Sequence, residues 1–189
     1  SATTLGFDGS STLTFKASDG ISFGSATNTF SLAFSIANSQ FTTLLVKADT
    51  AGNDNQVDAS SSSHSITESG NVSSSAFTPY HSGGYSAYFD GTGDYLTIES
   101  PYSDVGSSAD FTGEAWIYID AGYTQTNPLV FSSNSGGLNF GLTSSSGYKL
   151  NVGHSYVGNV VTGTTTINLA TWYHIAVVRN SGTLKTYIN

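Results

Sequence analysis

Apolar and polar residues alternate along most of this chain, and the period is two wherever a period can be read. From Phe111 to Asp120, one face would carry Phe111, Gly113, Ala115, Ile117 and Ile119. The other would carry Thr112, Glu114, Trp116, Tyr118 and Asp120. From Trp172 to Arg179, the set Tyr173, Ile175, Val177 and Arg179 alternates with Trp172, His174, Ala176 and Val178. Both segments place large side chains on both faces, which predicts strands in the middle of packed sheets. Further strands are expected at 30–36, 42–48, 64–68, 128–132, 138–142, 148–152, 160–167 and 183–188. Turn residues separate them, among them Gly52-Asn53-Asp54, Gly83-Gly84, Gly136-Gly137, Ser144 to Gly147 and Asn180-Ser181-Gly182. Helical spacing does not persist over ten residues anywhere. The expected fold class is all-β, a sandwich of antiparallel sheets.

Tyr85 to Ile98 reads as two short strands joined by Asp90-Gly91-Thr92-Gly93-Asp94, and a shorter version occupies Leu5 to Phe15. The stretch 24–36 echoes 106–117 in the same order and at nearly the same offset. Residues 1–40 are therefore read as an N-terminal β segment that partly repeats 87–119, and residues 41–189 as the main sandwich. The competing reading is a pair of unrelated hairpins built from common turn residues.

Composition narrows the function classes. Five basic residues stand against 13 acidic ones, a formal net charge of −8. Phosphate binding needs clustered Lys and Arg, so nucleic acid is not an expected partner. No apolar run approaches the ~20 residues of a helical membrane span, and membrane insertion is not expected. The chain has no cysteine, which removes disulfides and thiolate metal sites. Ser and Thr make up about thirty per cent of the chain and aromatic residues 13%. Disordered chains are poor in aromatic residues, so this composition points to many short strands and small turns.

Several motifs invite chemistry. Gly20-Ile-Ser-Phe-Gly24 matches G-x-S-x-G, but that motif lifts its serine only at a strand–turn–helix junction, and no helix pattern follows. Glu114 and Asp120 share a face at a separation of ~20 Å along a strand. Two acids acting on one glycosidic bond must lie within about 5–9.5 Å, so an assembled hydrolytic pair is not expected and the chain is read as non-enzymatic. His64, His81, His154 and His174 show no zinc-ligand spacing. Asp49, Asp54 and Asp58 crowd one loop, and Asp90 and Asp94 bracket a turn. Those oxygens suit calcium, the cofactor this donor set would take. Equally, Asp in a turn accepts backbone N–H groups, and that is the expected role of the Asp90–Asp94 pair. Tyr80, His81, Tyr85, Tyr102, Tyr123, Tyr148 and Tyr156 fall at or near loops and are the candidate sugar contacts; Tyr also serves core edges and subunit interfaces.

From residue 43 onward the chain resembles a laminin G-like domain of the concanavalin A-like lectin/glucanase superfamily. The matching stretches run from Leu44 to Val72, from Gly83 to Ile98, from Phe111 to Ile119 and from Thr171 to Asn189. The resemblance implies a jelly-roll sandwich, frequent glycan binding and, in some members, a calcium ion. It also implies further strands after the one that ends at Asn189. The wording of the motifs is most similar to copies in tail fibres and other virion proteins of marine bacteriophages. The expectation is thus a virion surface protein, a tail-fibre, head-fibre or decoration subunit. It would be homo-oligomeric, partnered by assembly proteins and host glycans. The alternative is an extracellular carbohydrate-binding module of a bacterial surface protein. A glycan hydrolase is a more distant reading.

Overall fold

The computed structural model describes residues 9–18, 23–34, 41–48, 50–53, 55–79, 84–98, 109–133, 137–144, 147–154 and 158–189, with backbone alone for 9–18, 23–34, 154 and 158–160. The described residues form strands and turns with no α-helix. β1 (Gly9–Ser18) and β2 (Phe23–Phe34) make an antiparallel hairpin. β3 (Val46–Ala48) pairs with β4 (Gln56–Asp58). β5 (Ile66–Ser69), β6 (Ser73–Ser75), β7 (Ser86–Tyr88) and β8 (Tyr95–Ile98) form two antiparallel pairs, β5 with β8 and β6 with β7. β9 (Phe111–Tyr118) is followed by β10 (Leu129–Ser132), β11 (Leu138–Thr143), β12 (Lys149–His154) and β13 (Gly158–Thr166). β14 (Trp172–Asn180) and β15 (Thr183–Ile188) complete the series. Two sheets dominate, ordered β10-β11-β12-β13 and β15-β14-β9.

The chain divides into two compact units, residues 1–47 with 57–65, and residues 48–56 with 66–189. The larger unit contains both main sheets, and its core is the space between them. Leu138, Phe140 and Leu142 of β11, Leu150 and Val152 of β12, and Ile175 and Val177 of β14 are buried in one cluster with Ile119 and Ile167. Ala115, Ile117, Phe131, Leu184 and Ile188 close its margins. Phe131 and Phe140 meet edge to face, 6.1 Å between ring centroids. Sheets facing across such a cluster make the antiparallel sandwich that the alternation predicts.

The hairpin β14–β15 shows how local sequence sets register. Asn180 pairs with Thr183, so the loop is Ser181-Gly182, and both residues have positive φ (48° and 81°). That is the type I′ geometry whose twist matches the flanking strands. Asp110 fixes this turn to the start of β9. Its Oδ1 accepts from Arg179 Nη1 at 3.2 Å and its Oδ2 from the Ser181 amide at 3.0 Å.

Three expectations change. The both-faces reading of β9 fails, because from Phe111 to Ile117 its residues alternate between half-buried and exposed, and β14 is its sole ladder partner among the described residues. Bulk on the second face signals an exposed aromatic surface there, not burial. β7 and β8 do not form a hairpin with each other, since each pairs elsewhere. β4 and β6 carry no readable pattern: Gln56–Asp58 lies in a polar loop and Ser73–Ser75 is three serines. As for the two echoing segments, β1 pairs with β2, whereas β8 pairs with β5 and β9 with β14.

Replacing Phe140, wholly buried, by Ala should lower the unfolding free energy by about 3–5 kcal/mol, read by denaturant melts. Thr112→Ala, on the exposed face of β9, should change it by less than about 0.5 kcal/mol.

Candidate functional site

Because Ala115 and Ile117 of β9 and Ile175 and Val177 of β14 point to the core, their neighbours must point outward. The registers Trp116 with His174 and Tyr118 with Trp172 put four rings side by side on that outer face. Trp116 lies 5.3 Å from the His174 ring, and Tyr118 lies 5.5 Å from Trp172. Phe77 extends the strip, 4.7 Å from Tyr118 and 5.2 Å from Trp172. Trp116 is 41% exposed, Phe77 47% and Tyr187 of β15 50%. Beside the rings, Glu114 Oε2 sits 3.3 Å from His174 Nε2. The chain has two tryptophans, and both belong to this strip. A row of partly exposed rings next to a carboxylate and an imidazole offers flat apolar faces together with hydrogen-bonding groups. That makes the strip the candidate contact site of this domain.

None of these rings was among the loop candidates. The signal was present in the alternation itself: once the Ile/Val/Ala/Gly face is assigned to the core, Trp116, Tyr118, Trp172 and His174 share the other. Among the loop candidates, Tyr123 and Tyr148 are half-buried against the core margin, 5.8 Å apart. The Tyr148 hydroxyl donates to the Gln125 carbonyl at 2.9 Å. Burial, and then the neighbouring Tyr148, push the Tyr123 phenol pKa up. Tyr85 is half-buried just before β7. Tyr80, His81, Tyr102 and Tyr156 lie outside the described residues.

The Asp90–Asp94 segment is a corner. It carries the chain from β7 to β8, while Gly70-Asn71-Val72 carries it from β5 to β6. Asp94 ties the two passages together. Its Oδ2 accepts from the Asp90 amide and its Oδ1 from the Asn71 amide, each at 2.8 Å. Asp90 Oδ1 accepts from the Thr92 amide at 2.6 Å. Gly91 and Gly93 both have positive φ, which glycine adopts without steric cost. Gly70 also has positive φ, and a Cβ there would collide with Asp94 Oδ1. The amides of Asp90 and Asn71 hold the Asp94 carboxyl pKa below its ordinary value.

Asp58 has a comparable role in the smaller unit. Its Oδ1 accepts from the Leu45 and Ser60 amides, both at 2.9 Å. Its Oδ2 accepts from the His64 amide at 2.8 Å and the Ser60 hydroxyl at 2.9 Å. Burial alone would raise its pKa, but together these donors outweigh burial and hold it well below the carboxylate range. The oxygens proposed for calcium at Asp58, Asp90 and Asp94 are thus directed at N–H and O–H donors. No three acidic or histidine side chains gather around a common centre among the described residues. Asp49 and Asp54 lie outside them.

A family model of laminin G type, described as the Concanavalin A-like lectin/glucanases superfamily, matches residues 90–189. The chain belongs to this superfamily. Neither the curated proteins nor the solved structures yield a match. The matched region of this concanavalin A-like domain contains β9 to β15, hence both main sheets and every ring of the outer strip except Phe77. A domain of this superfamily is compatible with carbohydrate binding or adhesion.

Two outcomes are expected from the carboxylates. Asp58→Asn should cost about 1–2 kcal/mol at pH 7, since it weakens charge-assisted bonds to backbone donors. Because the folded pKa is depressed, that stabilisation is present above the unfolded value near 4 and is lost as pH falls below it. The gap between wild type and variant in denaturant melts should therefore close on acidification. Chelation with EDTA should move the melting temperature by less than about 2 °C, because only a ligand of the folded state raises it.

Proposed function

We propose that this chain is a non-enzymatic surface domain that contacts glycans through the outer face of the β15-β14-β9 sheet. The observation that carries this reading is the aromatic strip of Phe77, Trp116, Tyr118 and Trp172 beside the Glu114–His174 pair. Rings of this kind stack on the apolar face of a pyranose, and the adjacent polar groups take up its hydroxyls. The surrounding charge favours a neutral glycan, because a net charge of −8 repels polyanions and nucleic acid alike. The separation of Glu114 from Asp120 along the chain supports contact without hydrolysis. The reading invokes no metal or other cofactor.

The placement proposed is the surface of a virus particle, as a homo-oligomeric tail-fibre, head-fibre or decoration subunit. The wording of the motifs supports it, together with a Ser/Thr-rich sandwich of low charge. A shallow open site binds weakly, and a repeated array strengthens it through multivalency. The second reading, a carbohydrate-binding module of a bacterial surface protein, draws on the same aromatic strip.

Affinity electrophoresis in gels containing neutral polysaccharides should show retardation of the wild type. Trp116→Ala should abolish the retardation, and Tyr148→Phe should keep it. Release of reducing sugar that disappears in Glu114→Gln would reject the non-enzymatic reading. Mass spectrometry of purified virions and of uninfected cell envelopes would decide the placement; enrichment in the envelopes would reject the viral one.

A further inference from the structure

We propose that Tyr187 forms a second stacking position on the outer face of the β15-β14-β9 sheet, and that the domain therefore reads a linear neutral glycan of several sugar units, not a single sugar. This rests on the glycan reading of the same face and adds the length and path of the ligand. Leu184 and Ile188 of β15 pack against the core, so Tyr187, which alternates with them, points outward, and it is half exposed. The registers set Tyr187 opposite Ala176, and Ala176 opposite Glu114. Trp172, which meets Tyr118 and Phe77, precedes Ala176 on the same strand by ~14 Å at 3.4 Å per residue. The next row beyond Tyr187, formed by Lys185, Val178 and Thr112, carries no ring. The aromatic platform thus runs from Trp172 to Tyr187.

One sugar ring cannot bridge a platform of that length. Between its ends lie Trp116 and the Glu114–His174 pair, whose side chains are 62% and 34% exposed. The pair is placed to take hydroxyls from units on either side of it. Ala176 has the smallest side chain on this face and is buried among its neighbours, so the row stays low between Tyr187 and Glu114. A chain that stacks on Trp116 can therefore cross β14 and reach Tyr187. Tyr and Trp supply rigid contact area at low entropic cost. Each stacking position is weak alone, but two positions on one ligand act as linked sites, and affinity then grows with ligand length.

Titration calorimetry of the full chain tests this with size-fractionated fragments, disaccharide to hexasaccharide, of a neutral polysaccharide that retards the protein in affinity gels. Wild-type affinity should rise with fragment length. Tyr187→Thr keeps a strand-forming residue at an exposed position and should unfold at the wild-type denaturant midpoint. It should cut the ratio of hexasaccharide to disaccharide affinity about tenfold. Tyr187→Phe, which keeps the ring, should restore that ratio. Trp116→Ala should abolish binding at every length. A ratio that Tyr187→Thr leaves unchanged, or a wild type that binds disaccharide and hexasaccharide equally, would overturn the second position and leave the strip reading standing. Wild-type affinities in Trp116→Ala, or no polysaccharide that retards the protein, would overturn the strip reading and this inference with it.

Discussion

The outer surface of the β15-β14-β9 sheet is dictated by its inner surface. Ile175 and Val177 are fully buried, and Ala115 and Ile117 pack beside them. With a side-chain period of two, a slip of one residue would exchange the two faces entirely. The core therefore fixes the register, and the register fixes where Trp116, Tyr118, Trp172 and His174 emerge. No separate interaction is needed to gather the rings. The type I′ turn at Ser181-Gly182 and the Asp110 contacts hold the neighbouring strand in the same frame.

Carboxylates perform the corresponding task where the chain leaves the sheets. Asp94 binds the amides of Asp90 and Asn71, so two passages that are far apart in sequence turn the same corner together. Asp58 does likewise for Leu45, Ser60 and His64. Polar turns need acceptors for their backbone N–H groups, and acidic residues placed inside the turns provide them. Part of the negative charge of this chain is thereby structural.

Much of the sandwich was legible in the sequence because its strands are amphipathic. β10 to β15 fall close to the expected segments, since Leu, Val, Ile and Phe alternate there with polar residues. β6 was not legible, because three serines carry no period, and Ser73–Ser75 is a strand through its pairing with β7. The partners of β7 and β8 were equally hidden. Turn chemistry announces that the chain bends, not which strand it then joins. The outer aromatic strip was not legible for a different reason. Large side chains on both faces of β9 read as burial, whereas an aromatic ring also serves an exposed platform with one face covered by its neighbours; β14, between β15 and β9, is central as its pattern implies. At Asp90 and Asp94 turn chemistry already pointed to backbone amides as partners, whereas at Asp58 the sequence showed an acceptor without showing which amides would meet it.

The central claim is that the outer strip is where this domain meets a sugar. The two tryptophans make it directly observable, because their indole N–H groups give two signals in a proton–nitrogen correlation spectrum. Titration with a neutral oligosaccharide that retards the protein in affinity gels should shift both indole signals progressively. Signals from the Phe140 and Val152 amides, deep in the core, should stay in place. Indole signals that do not move while the oligosaccharide is demonstrably bound would place the contact elsewhere and contradict the account.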